Sequence, residues 1–137
     1  MKARSWAWVL LALGAAQTVH AAMPTADAMR WHRRILLIAA PDRQDRQAAE
    51  QRRILDNWSR EAADRDIALV EISGAHVTGL ADDASALRRR YAIKPGRFQV
   101  LLIGKDGTVA LRSAQPIPAS TLQGTIDAMP MRKAGEH

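Results

Sequence analysis

Phe98 to Arg112 reads Phe-Gln-Val-Leu-Leu-Ile-Gly-Lys-Asp-Gly-Thr-Val-Ala-Leu-Arg, and this stretch limits most sharply what the chain can fold into. Phe98 to Ile103 is an apolar run of strand length, Thr108 to Arg112 alternates between polar and apolar, and Gly104-Lys105-Asp106-Gly107 separates them. Asp106 and Gly107 tolerate turn conformations closed to most side chains, so the spacing predicts an antiparallel hairpin. A strand apolar on both faces needs cover on both, whereas an alternating one suits the sheet's periphery.

Upstream, Ile35 to Ala40 is a continuous apolar run ended by Pro41, which predicts a buried strand. From Asp45 to Ala63, Gln51, Leu55, Trp58 and Ala62 share one helical face, with Asp45 placed to cap its start. Gln51 is expected at the core margin, with a bond to a loop above the sheet as the alternative, since a buried amide needs partners. Ile67 to Ile72 is a second strand. Strand, short connection, helix and strand make a βαβ unit with two parallel strands. Residues 73–83 read as a loop, Ala84 to Tyr91 as a short helix, and Lys94-Pro95-Gly96 as its break. After Pro116-Ile117-Pro118, Ser120-Thr121-Leu122-Gln123 matches a capping box for a last helix that buries Leu122, Ile126 and Met129 and stops at Pro130. Residues 22–29 read as a loosely held lead-in, Trp31 as closing one end of the core, and residues 133–137 as a tail.

This order, β-α-β-α-β-β-α, is the minimal thioredoxin-like arrangement: an α/β domain over residues 30–132 with a βαβ unit, an antiparallel hairpin, a C-terminal helix and about four strands in a mixed sheet. Met1 to Ala21 has the parts of a secretory signal peptide: Lys2 and Arg4, an apolar segment from Trp6 to Ala16, and small residues before Ala22. That segment is shorter than the ~20 apolar residues of a spanning helix, and no later one reaches that length, so no transmembrane segment is expected after cleavage. The chain is therefore expected to be exported, and periplasmic if the source is a Gram-negative bacterium. It has no cysteine, so its stability rests on its core rather than on disulfides. The formal charge is +6, two units of it from Lys2 and Arg4, and the other basic residues are scattered with few aromatics between them. Export and that scatter argue against nucleic acid.

Three phrases carry a family likeness: Arg-Trp-His-Arg-Arg-Ile-Leu-Leu-Ile-Ala-Ala-Pro (Arg30 to Pro41), Phe-Gln-Val-Leu-Leu-Ile-Gly-Lys-Asp-Gly (Phe98 to Gly107) and Ile-Asp-Ala-Met-Pro-Met-Arg (Ile126 to Arg132). They resemble the domain of unknown function 4174 family, itself similar to a domain of secreted animal proteins related to peroxiredoxins and thioredoxins. The resemblance implies an exported thioredoxin-like domain and supplies no reaction.

A thioredoxin-like oxidoreductase needs a reactive thiolate near the end of the first strand. Without cysteine, thiol-dependent redox catalysis is excluded. His32, His76 and His137 form no pair at helical ligand spacing, and neither a nucleophile elbow nor a phosphate loop is present. No catalytic, metal or cofactor-binding residue is assigned, and no cofactor. Two constellations remain. In a thioredoxin-like fold, Arg43, Arg46, Lys94 and Arg97 surround the position a thiol pair would occupy, beside the start of a helix, and form a candidate contact for an anionic group or partner. Asp42 and Asp45 offset part of that charge, so an internally paired surface is the plainer reading. The second constellation is Asp127, Met129, Pro130, Met131 and Arg132, a structural clamp with a partner contact as the alternative. The expected function is a non-enzymatic binding or envelope-interaction module for an unknown protein or anionic envelope component. A cysteine-independent enzyme on the same scaffold is the alternative.

Overall fold

All of Arg34 to Ala40 is buried, which a strand achieves only with neighbours on both edges and cover on both faces. In the computed structural model, which describes residues 22–135, this strand, β1 (Arg34–Ala40), is the middle of a mixed five-stranded sheet. The signal segment expected over residues 1–21 lies outside the described residues. β1 runs parallel to β2 (Ile67–Ser73), whose outer edge carries the short antiparallel β3 (His76–Thr78). On the other side it pairs antiparallel with β4 (Gln99–Ile103), followed by β5 (Val109–Ser113), giving the order β3-β2-β1-β4-β5. The predicted hairpin is therefore present. Gly107 takes the positive φ of +85° that its turn requires, and a register shift falls at Leu102/Ile103.

Alternate residues of β1 feed two separate cores, as a pleated strand demands. Ile35, Leu37 and Ala39 pack with Ala26 and Met29 of α1 (Ala26–Met29) and with Ala84 and Leu87 of α4 (Ala84–Arg90). Leu36, Ile38 and Ala40 face Leu55 of α2 (Arg46–Asn57), Ala62 of α3 (Ser59–Asp64), and Leu122 and Ile126 of α5 (Ala119–Asp127). A last short helix, α6 (Pro130–Lys133), closes the described chain.

Several expectations need correction. The sheet has five strands rather than four, because part of the stretch read as a loop pairs His76, Val77 and Thr78 with β2. The single helix predicted from Asp45 is two: at Trp58 the chain leaves helical geometry (φ −116°, ψ 22°), and its N–H bonds to Leu55 O three residues back. The lead-in is anchored rather than loose. Thr25 caps α1, the Ala26 N–H donates to Asp82 Oδ2 at 2.8 Å, and Ala81 N–H donates to Pro24 O. Trp31 does not close the core but stands 58% exposed. Gln51 is not marginal: it is fully buried and makes the loop bonds kept as the alternative. The capping box does not form, since α5 starts two residues early, with Pro118 rather than Ser120 at the N-cap and its carbonyl accepting from Thr121 and Leu122. Pro130 starts α6 instead of stopping α5, the position where its missing N–H costs nothing.

Candidate functional site

Four of the sequence-predicted cations lie at the end of the sheet where β1 and β2 finish. Ala39 pairs with Gln99, so the loop after β1 and the entry to β4 are neighbours. Arg43, Arg46, Lys94 and Arg97 are all exposed, and none makes an ion pair or side-chain hydrogen bond among the described residues. Asp42 and Asp45 are committed to local backbone. Asp42 Oδ1 accepts from Gln44 N–H, and Asp45 Oδ1 caps α2 through Ala48 N–H at 2.9 Å. Arg43 does not gather with the other three cations around one hollow. It lines a depression of about 300 Å³ with Arg52, Glu71, Ser73, His76 and Thr78 on the β2–β3 side. Ser73 and His76 oppose each other across the strands, but no side-chain hydrogen bond joins them, and Glu71 is held by Arg52 at 3.1 Å. A nucleophile with a base is not assembled there.

The larger cleft, about 450 Å³, lies at the opposite end of the sheet, where β1 begins and β4 ends. Trp31, Ala110, Met129, Pro130 and Met131 give it apolar walls, Arg34, Gly104 and Lys105 line it as well, and Asp106 and Thr108 add polar groups. The three phrases that carry the family likeness thus converge on one hollow. They supply Trp31 and Arg34, Gly104 to Asp106, and Met129 to Met131 respectively.

Its construction follows from the strand register. Arg34 shares the parity of Leu36 and Ile38, so its side chain enters the core layer under α5 and is 1% exposed. Its Nη1 donates to Arg65 O at 2.8 Å, while Nε has no hydrogen-bond partner among the described residues. Lys105, 3% exposed, ends the β4 side and reaches Asp66 Oδ2 at 2.9 Å. Asp66 opens β2 from a left-handed conformation (φ +53°), which aspartate tolerates better than most residues, and its carbonyl receives the Arg34 N–H. Trp31 is pinned by its N–H to Lys105 O at 2.6 Å in the same left-handed region (φ +69°), where a bulky residue is strained by about 1–3 kcal/mol. The Arg30 guanidinium lies 5.6 Å from the centre of its ring.

Behind the cleft, the constellation around Asp127 is a network. Arg65 holds Asp127 with two bonds of 3.0 Å and lies over the Trp58 ring, and Arg132 bonds to Asp64 while its Nε stands 3.7 Å from Asp127. These bonds tie α5 and α6 to the end of α3. Across this pole Arg33, Arg34, Arg65, Lys105 and Arg132 outnumber Asp64, Asp66, Asp106 and Asp127. Burial draws the Arg34 guanidinium below its ordinary value, with Arg132 and Arg65 acting in the same sense and Asp66 and Asp127 opposing. The Arg65 hydrogen bond holds the Asp127 carboxyl below its usual range against a smaller effect of burial. For Asp66 burial is the largest influence and raises it, but the Lys105 bond and the charges of Lys105, Arg33 and Arg34 together bring it lower.

A pH dependence follows from Asp127. A depressed folded value means that the bond's stabilisation is fully present above the unfolded value, near pH 4, and is lost as pH falls through the folded value. Urea midpoints should therefore drop more steeply below about pH 4 in the parent chain than in Asp127→Asn. Parallel acid limbs in the two proteins would refute a role for Asp127 in that loss.

Of the residues predicted from sequence, Met129, Pro130 and Met131 line the cleft, Asp127 and Arg132 brace it, and Arg43, Arg46, Lys94 and Arg97 lie at the far end of the sheet. Sequence reasoning missed Trp31, Arg34 and Lys105. The available signal was an arginine in phase with the buried residues of a doubly covered strand.

The sequence profile described as "Domain of unknown function (DUF4174)" matches residues 25–135. Among solved structures, the chain is similar to one titled "Structure of a malarial protein", at 15% sequence identity and a TM-score of 0.51, covering 69% of this chain and 94% of that one. At that identity the likeness concerns the fold alone. No curated protein sequence matches.

Proposed function

We propose that this chain, which belongs to the family of the domain of unknown function (DUF4174), is a non-enzymatic binding module on a thioredoxin-like scaffold that works outside the inner membrane. The observation that carries this reading is the cleft. It falls within the roughly 300–1,000 Å³ of small-ligand sites, and it lies at the opposite pole from the place where a thioredoxin-like fold performs thiol chemistry. Its polar lining offers cations and hydrogen-bond donors; the Thr108 hydroxyl donates to Asp106 at 2.9 Å, but the same carboxylate also accepts the Thr108 N–H, an exposed turn lock that suits retention of a ligand rather than its conversion. The parallel β1–β2 pair, the antiparallel β4–β5 hairpin and the helix α5 after it support the thioredoxin-like assignment, with α1, β3 and α6 as additions. Export rests on the signal-like composition of Met1 to Ala21.

A strained, exposed tryptophan at a cleft rim is a further mark of binding, because backbone strain persists where function uses the side chain. Trp31→Gly is expected to leave stability unchanged or raise it by up to about 1 kcal/mol, since glycine adopts positive φ without strain. The same variant is expected to weaken ligand binding at the cleft. The test screens a mixture of small amphipathic compounds against the chain labelled with ¹³C at methionine methyls, followed by recovery of the compounds. Shifts at Met129 and Met131, reduced in Trp31→Gly, with every compound recovered unchanged, are expected. Chemical conversion of a bound compound, or shifts only at other methionines, would overturn the reading.

A further inference from the structure

Among the described residues, the guanidinium of Arg34 is the fully buried charge that no carboxylate pairs. It is almost wholly buried, makes one bond to a backbone carbonyl, has no carboxylate within ion-pair distance among the described residues, and leaves Nε without a partner. Buried charge is normally paired, and a buried polar atom without a partner calls for an absent ion or water. Lys105, the other cation of the cleft, is already held by Asp66.

The surroundings define which anion suits it. A phosphate or sulfate group presents several charged oxygens that each need donors, and the walls beside Arg34 are methionine, proline, alanine and tryptophan. A carboxylate has two oxygens and matches one guanidinium edge. A peptide carrying a terminal carboxylate would also bring backbone N–H and C=O groups against Pro130 and the methionine side chains, which cannot satisfy them. An unbranched hydrocarbon body imposes no such demand, and methionine side chains adapt to its shape. The local excess of cations over carboxylates favours a ligand of negative charge.

We propose that the cleft binds an aliphatic monocarboxylate, with the carboxylate received by Arg34 and the chain lying along Met129, Met131 and the Trp31 indole. This assignment rests on the reading of the chain as a binding module and adds the ligand class. Lys105 and Asp66 hold the turn that presents Gly104 beside the headgroup, and Asp106 at the rim disfavours a second negative charge on the ligand.

The test uses the full chain labelled with ¹³C at methionine methyls, titrated with octanoate below its micelle-forming concentration. Octanol serves as the uncharged counterpart and inorganic phosphate as the headgroup without a chain. Octanoate is expected to give saturable shifts at Met129 and Met131 while Met29, in the opposite core, stays unmoved. Octanol is expected to bind at least about tenfold more weakly, as loss of one charge-assisted bond predicts, and phosphate not to reach saturation. Arg34→Met should abolish the preference for octanoate. Should that variant not fold, Met131→Glu, which sets a like charge at the half-buried wall, should weaken octanoate about tenfold while leaving octanol within about threefold. Equal affinity for octanol and octanoate would overturn the carboxylate assignment and leave the binding reading intact. Absence of shifts at Met129 and Met131 with octanoate, octanol and the mixed compounds above would overturn both.

Discussion

Alanine at position 79 is expected to lower stability by about 3 kcal/mol or more, the larger of two effects predicted for single substitutions in the scaffold. Gly79 leaves β3 at φ +92°, and an added Cβ would stand 2.5 Å from Leu69 O and 3.3 Å from Val70 Cα. Both obstacles are backbone of β2, which is paired to β1 along its whole length and cannot yield without shifting the sheet's middle. At Gly107, by contrast, the three atoms nearest an added Cβ all belong to the Arg30 side chain, which can swing aside. Urea unfolding of Gly79→Ala measures the cost; a midpoint within error of the parent would mean that the return from β3 is free to move off β2.

The second large effect is at Gln51. Its side chain, fully buried in α2, donates from Nε2 to Ile117 O at 3.1 Å and accepts from Ile117 N–H at 2.6 Å. One amide thus satisfies both backbone groups of a residue flanked by two prolines, in a segment that has no sheet partner. Gln51→Leu retains volume and removes both bonds, leaving a buried donor and a buried acceptor, each worth about 1–3 kcal/mol unpaired. The expected loss is about 2–4 kcal/mol in denaturant unfolding, with faster hydrogen exchange at the Ile117 amide. Unchanged exchange there would show that another group carries the segment.

Gln51 also marks where sequence reading stops. The strands β1, β2, β4 and β5 were legible because continuous apolar runs and a Gly-Lys-Asp-Gly turn are local signals. Gln51 was equally visible on its helical stripe, but its partner lies 66 residues away, and no local pattern records such a distance. β3 was missed because three residues between Gly74 and Gly79 carry too little periodicity to separate strand from loop. Trp58 fits a continuous helical face, and a backbone break at that one residue leaves the periodicity of the face intact. The cleft was half legible. Met129, Pro130 and Met131 were singled out for their own sake, whereas Arg34 looked like the basic end of an apolar run and Lys105 like an ordinary turn lysine. Both became floor residues because α5 and α6, from the far end of the chain, cover that end of the sheet. The four cations expected around a thiol position were chosen by analogy with a fold, and the structure leaves them exposed at the far end of the sheet.

The cleft is built from Trp31 and Arg34 near the start of the folded domain, the turn at Lys105, and Met129 to Met131 near its end. It therefore exists only when the last helix has docked, and a frayed or partly unfolded chain has no such hollow. A compound that occupies it binds the native state alone, so saturation a hundredfold above its dissociation constant adds about 2.7 kcal/mol to the unfolding free energy. In a protein with no disulfide to restrain its unfolded chain, occupancy would act as a removable staple between the two ends of the domain, and its lifetime against proteolysis would follow the supply of ligand.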